Sequence, residues 1–179
     1  NYHVDSLCMK LSSSIFALKR IRAISTAEAT RTCYHALFES HLRYGIIFWG
    51  GAKQENLKRV LVLQKRALRS MAGLQPRESC RNSFQSLGIL TAVSLYILET
   101  VDFALKSPLP RNRNFHNYNT RYNSNFNLPI HRTSIFSKKP SYAGAKLYNM
   151  LPQSIKEGTP STLKKRLRQW LADIPLYSM

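Results

Sequence analysis

The chain has 179 residues and a mass of 20.6 kDa, and its 27 Lys and Arg against nine Asp and Glu give a formal charge of +18 at pH 7. With 44% hydrophobic and 11% aromatic residues it is not a disordered basic tail. Such a charge is rare in metabolic enzymes and favours a polyanionic partner, either nucleic acid or an anionic membrane face. The most apolar run is Ile46–Trp49, which is too short for a membrane-spanning helix.

The cysteines are few and scattered. Cys8, Cys33 and Cys80 have none of the short spacings that zinc fingers or redox motifs need, so we expect no metal and no cofactor. An odd, sparse count indicates reduced thiols in an intracellular compartment. The chain begins with Asn1 and no signal-peptide pattern follows, which indicates a segment of a longer protein.

Helical periodicity dominates residues 1–106. Apolar side chains recur at i, i+3 and i+4 from Val4 to Leu18, which predicts a helix with one buried stripe. Ser25 and Glu28 form a predicted capping box, in which each side chain bonds the other residue's backbone N–H. The helix that follows is predicted to end before Gly45 and to bury four side chains. These are Tyr34, Leu37, Phe38 and Leu42.

Further helices are predicted up to residue 106. The glycine-flanked run Ile46–Trp49 is typical of a buried crossing between helices. The next helix has Gly73 as its C-cap, and Thr91 is the predicted N-cap of another. These helices are predicted at residues 54–72, 78–87 and 92–106.

The composition changes after this point, because residues 103–156 contain nine Lys and Arg but no Asp or Glu. An Asn-rich and aromatic stretch without helical or strand periodicity predicts a long ordered loop, a kind of segment that is usually functional. Helices near 142–150 and 161–172 follow, the second with Thr159 at the N-cap and Pro160 at N1. We therefore predict a mainly α protein, a helical bundle followed by a long basic loop and further helices. Its segments are residues 1–106, 107–140 and 141–179.

No pattern of catalytic residues is evident. The acids are scattered, and the closest pair, Glu99 and Asp102, is more typical of an exposed helix face than of a metal site. Cys33, His35 and His41 would not meet on one helical face. There is no P-loop, nucleophile elbow or Ser-His-Asp order. We expect no catalysis within the chain.

The helix predicted at 54–72 carries five cations on one flank, opposite its apolar residues. After Glu55 it has no acid before Gly73, whereas a merely solvated helix face usually mixes charges to form i, i+4 pairs. The cations span about 16 Å along the axis, long enough to follow several phosphates. The predicted phosphate-binding residues are Lys58, Arg59, Lys65, Arg66 and Arg69.

The last helix and the loop carry further candidates. The last helix is predicted to pack Leu163, Leu167, Trp170 and Leu171 and to direct basic residues outward, toward phosphates, a membrane surface or a partner protein. In the loop, aromatic rings alternate with arginines, a combination that suits single-stranded nucleic acid, although such rings also pack loops onto a core. The outward residues of the helix are Lys164, Lys165, Arg166 and Arg168. The loop candidates are Arg111, Arg113, Tyr118, Arg121, Tyr122 and Arg132.

Six stretches that cover nearly the whole chain carry a resemblance to a known family. The first three are HVDSLCMKLSSSIFALKRIR (3–22), YHALFESHLRYGIIFWG (34–50) and LKRVLVLQKRALRSMAGL (57–74). The others are SLGILTAVSLYILE (86–99), HNYNTR (116–121) and LPIHRTSIFSKKPSYAGAKLYNMLP (128–152). Their order and spacing resemble the region after the reverse transcriptase palm of jockey-like non-LTR retrotransposon proteins.

The resemblance implies that residues 1–106 are a thumb-like domain, whose basic helix holds the template–primer duplex during target-primed reverse transcription. The implied partners are RNA, RNA–DNA or DNA duplex, and the palm and endonuclease that precede this region in a nuclear parent polyprotein. The paired aspartates of the palm and a terminal Cys/His knuckle have no counterpart here, which implies a non-catalytic fragment. The alternative is a basic module that docks on proteins or membrane surfaces and has no nucleic-acid function.

Overall fold

The computed structural model describes residues 2–115 and 122–178, apart from the side chains of Pro160 and Ser161. These residues are mainly α-helical, as predicted. They form two compact units, Asn1–Leu95 with Leu171–Met179 and Tyr96–Trp170. The division of the sequence into segments 1–106, 107–140 and 141–179 remains a prediction.

The first unit is built on two long helices that pack along each other, α1 (Tyr2–Ile24) and α5 (Gln54–Ala72). Four residues of the apolar stripe of α1, Val4, Leu7, Leu11 and Leu18, are buried as predicted, while Cys8 and Ile15 are only half-buried. Ser14 is buried beside the stripe because its hydroxyl donates to the carbonyl of Leu37 at 2.9 Å. The α5 residues buried as predicted are Leu57, Val60, Leu61, Leu68 and Met71.

The second helix, α2 (Ala27–Cys33), begins one residue later than predicted. Thr26 is the N-cap, and its Oγ1 accepts a hydrogen bond from the backbone N–H of Ala29 at 3.2 Å. The capping box predicted for Ser25 and Glu28 was wrong, since α1 extends to Ile24 and the Ser25 hydroxyl donates to a carbonyl of its last turn.

A π-helical segment, Tyr34–Glu39, joins α2 to α3 (Ser40–Arg43). Its i→i+5 hydrogen bonds put more residues in each turn than an α-helix holds, so side chains drift from the predicted periodicity. Leu37 is 39% exposed, and its predicted burial was wrong. Phe38 and Leu42 are buried as predicted, like Tyr34, on which the Phe38 ring stacks.

The predicted crossing is a short helix, α4 (Ile46–Trp49). Gly45 adopts φ 62°, a left-handed conformation that turns the chain sharply between α3 and α4. The indole of Trp49 closes this turn by donating to the carbonyl of Tyr44 at 3.0 Å. Ile46 and Trp49 are buried, but Phe48 is 65% exposed, so only part of the run is core.

The caps predicted around residues 73 and 91 are confirmed. Gly73 ends α5 at φ 70°, and its N–H bonds the carbonyl of Arg69. The helix α6 (Arg81–Ser86) is shorter than the predicted 78–87. Glu78 lies in a separate turn before it, where its carboxylate accepts a hydrogen bond from the backbone N–H of Gln75. The next helix, α7 (Ala92–Lys106), is capped by the hydroxyl of Thr91.

The second unit continues from α7 through short elements. The predicted loop contains a 3-10 turn, Asn112–Asn114, and α8 (Ser134–Ser137), and Arg111 forms an antiparallel bridge with Phe126. The side-chain amide of Asn149 bonds both the N–H and the carbonyl of Phe126 at 2.9 Å, which fixes this part of the loop on a helix. The remaining helices are α9 (Pro140–Met150), α10 (Gln153–Lys156), which was not predicted, and α11 (Pro160–Asp173).

Candidate nucleic-acid interface

Five cations of α5 lie on the side of the helix opposite its buried residues, as the helical wheel indicates. Lys58, Arg59 and Arg66 are exposed, and Lys65 and Arg69 are half-buried. We call these five residues the α5 basic face. The amphipathic pattern positions them, since the apolar side chains of α5 pack inward and leave the charged ones at the surface.

Two of these cations have no competing partner within residues 2–115 and 122–178. Among the residues that the structure describes, no hydrogen bond or ion pair holds the side chain of Lys58 or Arg66. They are two turns apart on the helix, about 12 Å along its axis. Both charges are therefore available to a polyanion without the loss of an existing interaction.

Arg59 is paired with an acid of α1. Its Nη2 donates to Oδ1 of Asp5 at 2.7 Å, and each side chain is 49% exposed. This hydrogen bond lowers the pKa of Asp5 and raises that of Arg59, so both groups stay charged. Asp5 thus neutralises one cation of the α5 basic face.

Lys65 lies over the ring of Tyr177, with its Nζ 3.8 Å from the ring centroid. The guanidinium carbon of Arg81 is 5.0 Å from the same centroid, and Phe84 packs against the ring edge-on. Burial raises the pKa of the Tyr177 phenol, so the ring stays neutral beside two cations. The structure thus adds Arg81 to the basic residues near α5. No local sequence pattern predicts this grouping, because Lys65, Arg81 and Tyr177 come from different segments of the chain.

Arg69 lies at the C-terminal end of the face. Its Nε donates to the backbone carbonyl of Glu78 at 2.8 Å. This bond holds the guanidinium at the surface near the end of α5, where the carbonyl of Arg69 itself accepts the N–H of Gly73.

The loop candidates differ in their surroundings. Arg111 is half-buried, with its guanidinium carbon 4.1 Å from the ring centroid of Phe126 and 5.0 Å from that of Tyr148. Its Nη1 donates to the carbonyl of Ser124, so this arginine holds the loop together. The exposed candidates are Arg113, Tyr122 and Arg132. Tyr118 and Arg121 lie outside the described residues.

The four basic residues of the last helix differ in their exposure. Lys165 and Arg168 are exposed, whereas Lys164 and Arg166 are half-buried, with 41% of the Lys164 side chain exposed. Lys164 donates to Asp102 at 2.8 Å, and the Nη1 of Arg166 donates to the carbonyl of Ser154 at 3.3 Å. Both cations are used within the second unit.

Asp102 is at the centre of an ion-pair cluster. Its Oδ2 accepts from Lys106 at 2.7 Å and from Lys164 at 2.8 Å. Burial alone would raise the pKa of Asp102, but the two ammonium groups outweigh it and lower the pKa. In the described part of the chain, no three His, Cys, Asp or Glu side chains are grouped to hold a metal ion.

No protein-family model, curated protein or solved structure matches this chain. Within residues 2–115 and 122–178, no helix has the length and apolar character needed to cross a membrane.

Proposed function

We propose that the chain binds the phosphate backbone of nucleic acid through the α5 basic face. The observation that carries this proposal is the exposure of Lys58 and Arg66, which no described residue pairs with, on a helix that has no acid between Glu55 and Gly73. Phosphate binding by Lys and Arg supplies most of the affinity of proteins for nucleic acid regardless of sequence.

The exposed surface of α5 itself favours nucleic acid over a membrane surface. A helix that lies on a membrane needs an exposed apolar side to insert below the headgroups. The apolar residues of α5 are instead buried, and Val62, which is 57% exposed, is the large hydrophobic side chain that it presents to solvent. The exposed surface of this helix is thus mainly charged.

In the wider proposal, the chain is the thumb and C-terminal region of a jockey-like non-LTR retrotransposon reverse transcriptase. It would hold RNA and the template–primer duplex while a palm elsewhere in the parent polyprotein polymerises DNA. The six resembling stretches support this assignment, and a mainly helical structure is compatible with it. The chain itself is proposed to be non-catalytic, so primer extension by the pure protein would contradict the assignment.

The proposal is tested by charge reversal. Lys58→Glu with Arg66→Glu should weaken binding to an RNA–DNA hybrid by tenfold or more, because two phosphate contacts become repulsive. The matched control is Lys19→Glu with Arg20→Glu, which reverses two exposed cations of α1 and changes the net charge equally. Equal weakening by both variants would remove α5 from the interface.

A competition experiment distinguishes nucleic-acid binding from the alternative function, docking on a membrane surface. Vesicles that contain anionic lipid are added to the protein, with and without excess RNA. The proposal expects RNA to displace any vesicle-bound protein, since both would use the same cations. Vesicle binding that persists in excess RNA would instead support a membrane-surface module.

A further inference from the structure

Two adjacent cavities lie in the first unit where α1 meets the turn between α3 and α4. The first has a volume of about 410 Å³ and the second about 640 Å³, within the range of small-molecule sites. His3 and Tyr44 line both cavities and form their common wall, with ring centroids 6.5 Å apart. Neither residue belongs to the α5 basic face.

The first cavity is lined by groups that bind anions. Lys10 supplies an ammonium group, and His3 and His41 supply ring nitrogens. The hydroxyl groups of Ser6 and Tyr44 add further donors. Among the described residues that line this cavity there is no Asp or Glu.

The nearby acids are directed elsewhere. Asp5 is on another side of α1, where it pairs with Arg59. Glu39 precedes α3 and is held by His35 at 2.6 Å and Arg43 at 2.7 Å. The cavity therefore combines the cation of Lys10 with several hydrogen-bond donors and no lining acid, which suits a phosphate group.

The second cavity is aromatic and mainly apolar. Its walls include Tyr44, Phe48 and Trp49, and the left-handed turn at Gly45 places Tyr44 and Phe48 at the rim. Tyr44 is 76% exposed and Phe48 is 65% exposed. Exposed ring faces beside cationic groups are the combination that holds unpaired bases.

We propose that the two cavities together bind one unpaired nucleotide, with its phosphate near Lys10 and His41 and its base against Tyr44 and Phe48. A nucleotide joins a phosphate to a base through one sugar, and the cavities are joined by one wall. The ligand is either a free nucleotide or the terminal nucleotide of a strand. This site is separate from the α5 basic face, so it can fail without affecting the proposed function.

The probe is adenosine 5′-monophosphate, titrated by calorimetry beside adenosine and inorganic phosphate. The nucleotide should bind about tenfold more tightly than either fragment, because stacking and phosphate contacts add. Lys10→Ala should bind the nucleotide no more tightly than adenosine. Phe48→Ala should bind the nucleotide no more tightly than inorganic phosphate.

The controls are Lys19→Ala and Phe16→Ala, which remove an exposed lysine and an exposed aromatic ring of α1 outside the cavities. Both should bind the nucleotide like the unmodified protein. Equal binding of the nucleotide and inorganic phosphate would overturn the proposal, and so would equal losses in Lys10→Ala and Lys19→Ala.

Two further arms complete the test. A 5′-phosphorylated single-stranded hexanucleotide that displaces the mononucleotide identifies a strand end as the ligand. Failure to displace identifies the free nucleotide, and either result supports the site. Lys58→Glu with Arg66→Glu should bind the mononucleotide normally, and a loss in this variant would contradict a separate site.

Discussion

Arg59 on α5 donates a hydrogen bond to Asp5 on α1 over 2.7 Å. The bond joins the two long helices at the surface and holds a cation that belongs to the proposed phosphate-binding face. Since the pair is half-exposed, it contributes little to stability, and its main effect is on the charge of the α5 basic face. If the α5 basic face binds phosphates as proposed, Asp5 limits the affinity of the chain for polyanions.

Asp5→Asn should therefore strengthen binding to an RNA–DNA hybrid. Freeing Arg59 adds about one phosphate contact, which should steepen the log–log salt dependence by about 0.9. Glu28→Gln is the control, because it changes the net charge equally at an exposed position on α2. Titrations at several salt concentrations measure both variants. Equal salt-dependence slopes for Asp5→Asn and Glu28→Gln would show that binding depends on the total charge of the protein and not on the Asp5–Arg59 pair.

The helices and caps that depend on local sequence could be predicted. The bounds of α5 and α7 follow from apolar periodicity and from caps at Gly73 and Thr91, which the structure confirms. The start of α2 was missed by one residue because it depends on where α1 ends. The π-helical segment Tyr34–Glu39 has no local signal, so the exposure of Leu37 could not be foreseen.

The candidate site was predicted as a set of cations but not as a set of contacts. The helical periodicity of residues 54–72 predicted that Lys58 and Arg66 lie at the surface, because helix geometry alone determines which side chains share a face. The pairing of Arg59 with Asp5 crosses 54 residues of sequence, and Lys65 meets Tyr177 from the end of the chain. Such contacts depend on tertiary packing, and the periodicity of a single segment does not predict which distant segments pack together.

The buried amide of Gln64 should be essential for stability. Its Oε1 accepts the N–H of Ala92 at 2.7 Å, and its Nε2 donates to the carbonyl of Leu90 at 2.8 Å. Gln64→Leu keeps the bulk but leaves both backbone groups without this partner. The free energy of unfolding should fall by about 2–4 kcal/mol in urea titrations.

The control for this change is Gln54→Ala on the exposed side of the same helix, which should alter stability by less than about 0.5 kcal/mol. Tyr34→Phe should cost less than Gln64→Leu, since it removes only the bond from Gln64 Nε2 to the phenol. If Gln64→Leu were as stable as Gln54→Ala, the amide would have no role in holding the start of α7.

Gly144 allows α9 to approach α7 closely within the second unit. A Cβ at this position would lie 2.2 Å from the carbonyl oxygen of Thr100 and 2.8 Å from the Cβ of Ala104. Gly144→Ala should therefore destabilise the protein by about 1–3 kcal/mol, although alanine favours helix formation. Thermal unfolding measures the effect. Met150→Ala, at an exposed position of α9, is the control, and an equal or higher melting temperature for Gly144→Ala would rule out the close approach.

The Asp102 cluster should make stability depend on pH. The pKa of Asp102 in the folded chain lies below its usual value of 3.8, so the contribution of the carboxylate is present above that value. It is lost as the pH falls through the folded pKa, when the carboxyl takes up a proton and no longer pairs with Lys106 and Lys164. The stability difference between the unmodified protein and Asp102→Asn should thus be large near pH 7 and small near pH 2. Urea unfolding at both pH values measures this difference in the free energy of unfolding.

Glu157→Gln, at an exposed position, is the control. If the stability difference for Asp102→Asn grew as the pH fell, the ion pairs of Asp102 would not be its cause.

Phosphate binding by the α5 basic face is tested by the salt dependence of binding to an RNA–DNA hybrid. With Arg59 neutralised by Asp5, about four cations remain, which predicts a log–log slope of about −3 to −4. Lys58→Ala with Arg66→Ala should reduce the slope by about 2, whereas Lys19→Ala with Arg20→Ala should leave it unchanged. If the folded double variant of Lys58 and Arg66 kept the slope of the unmodified protein, the α5 basic face would not be the phosphate-binding surface.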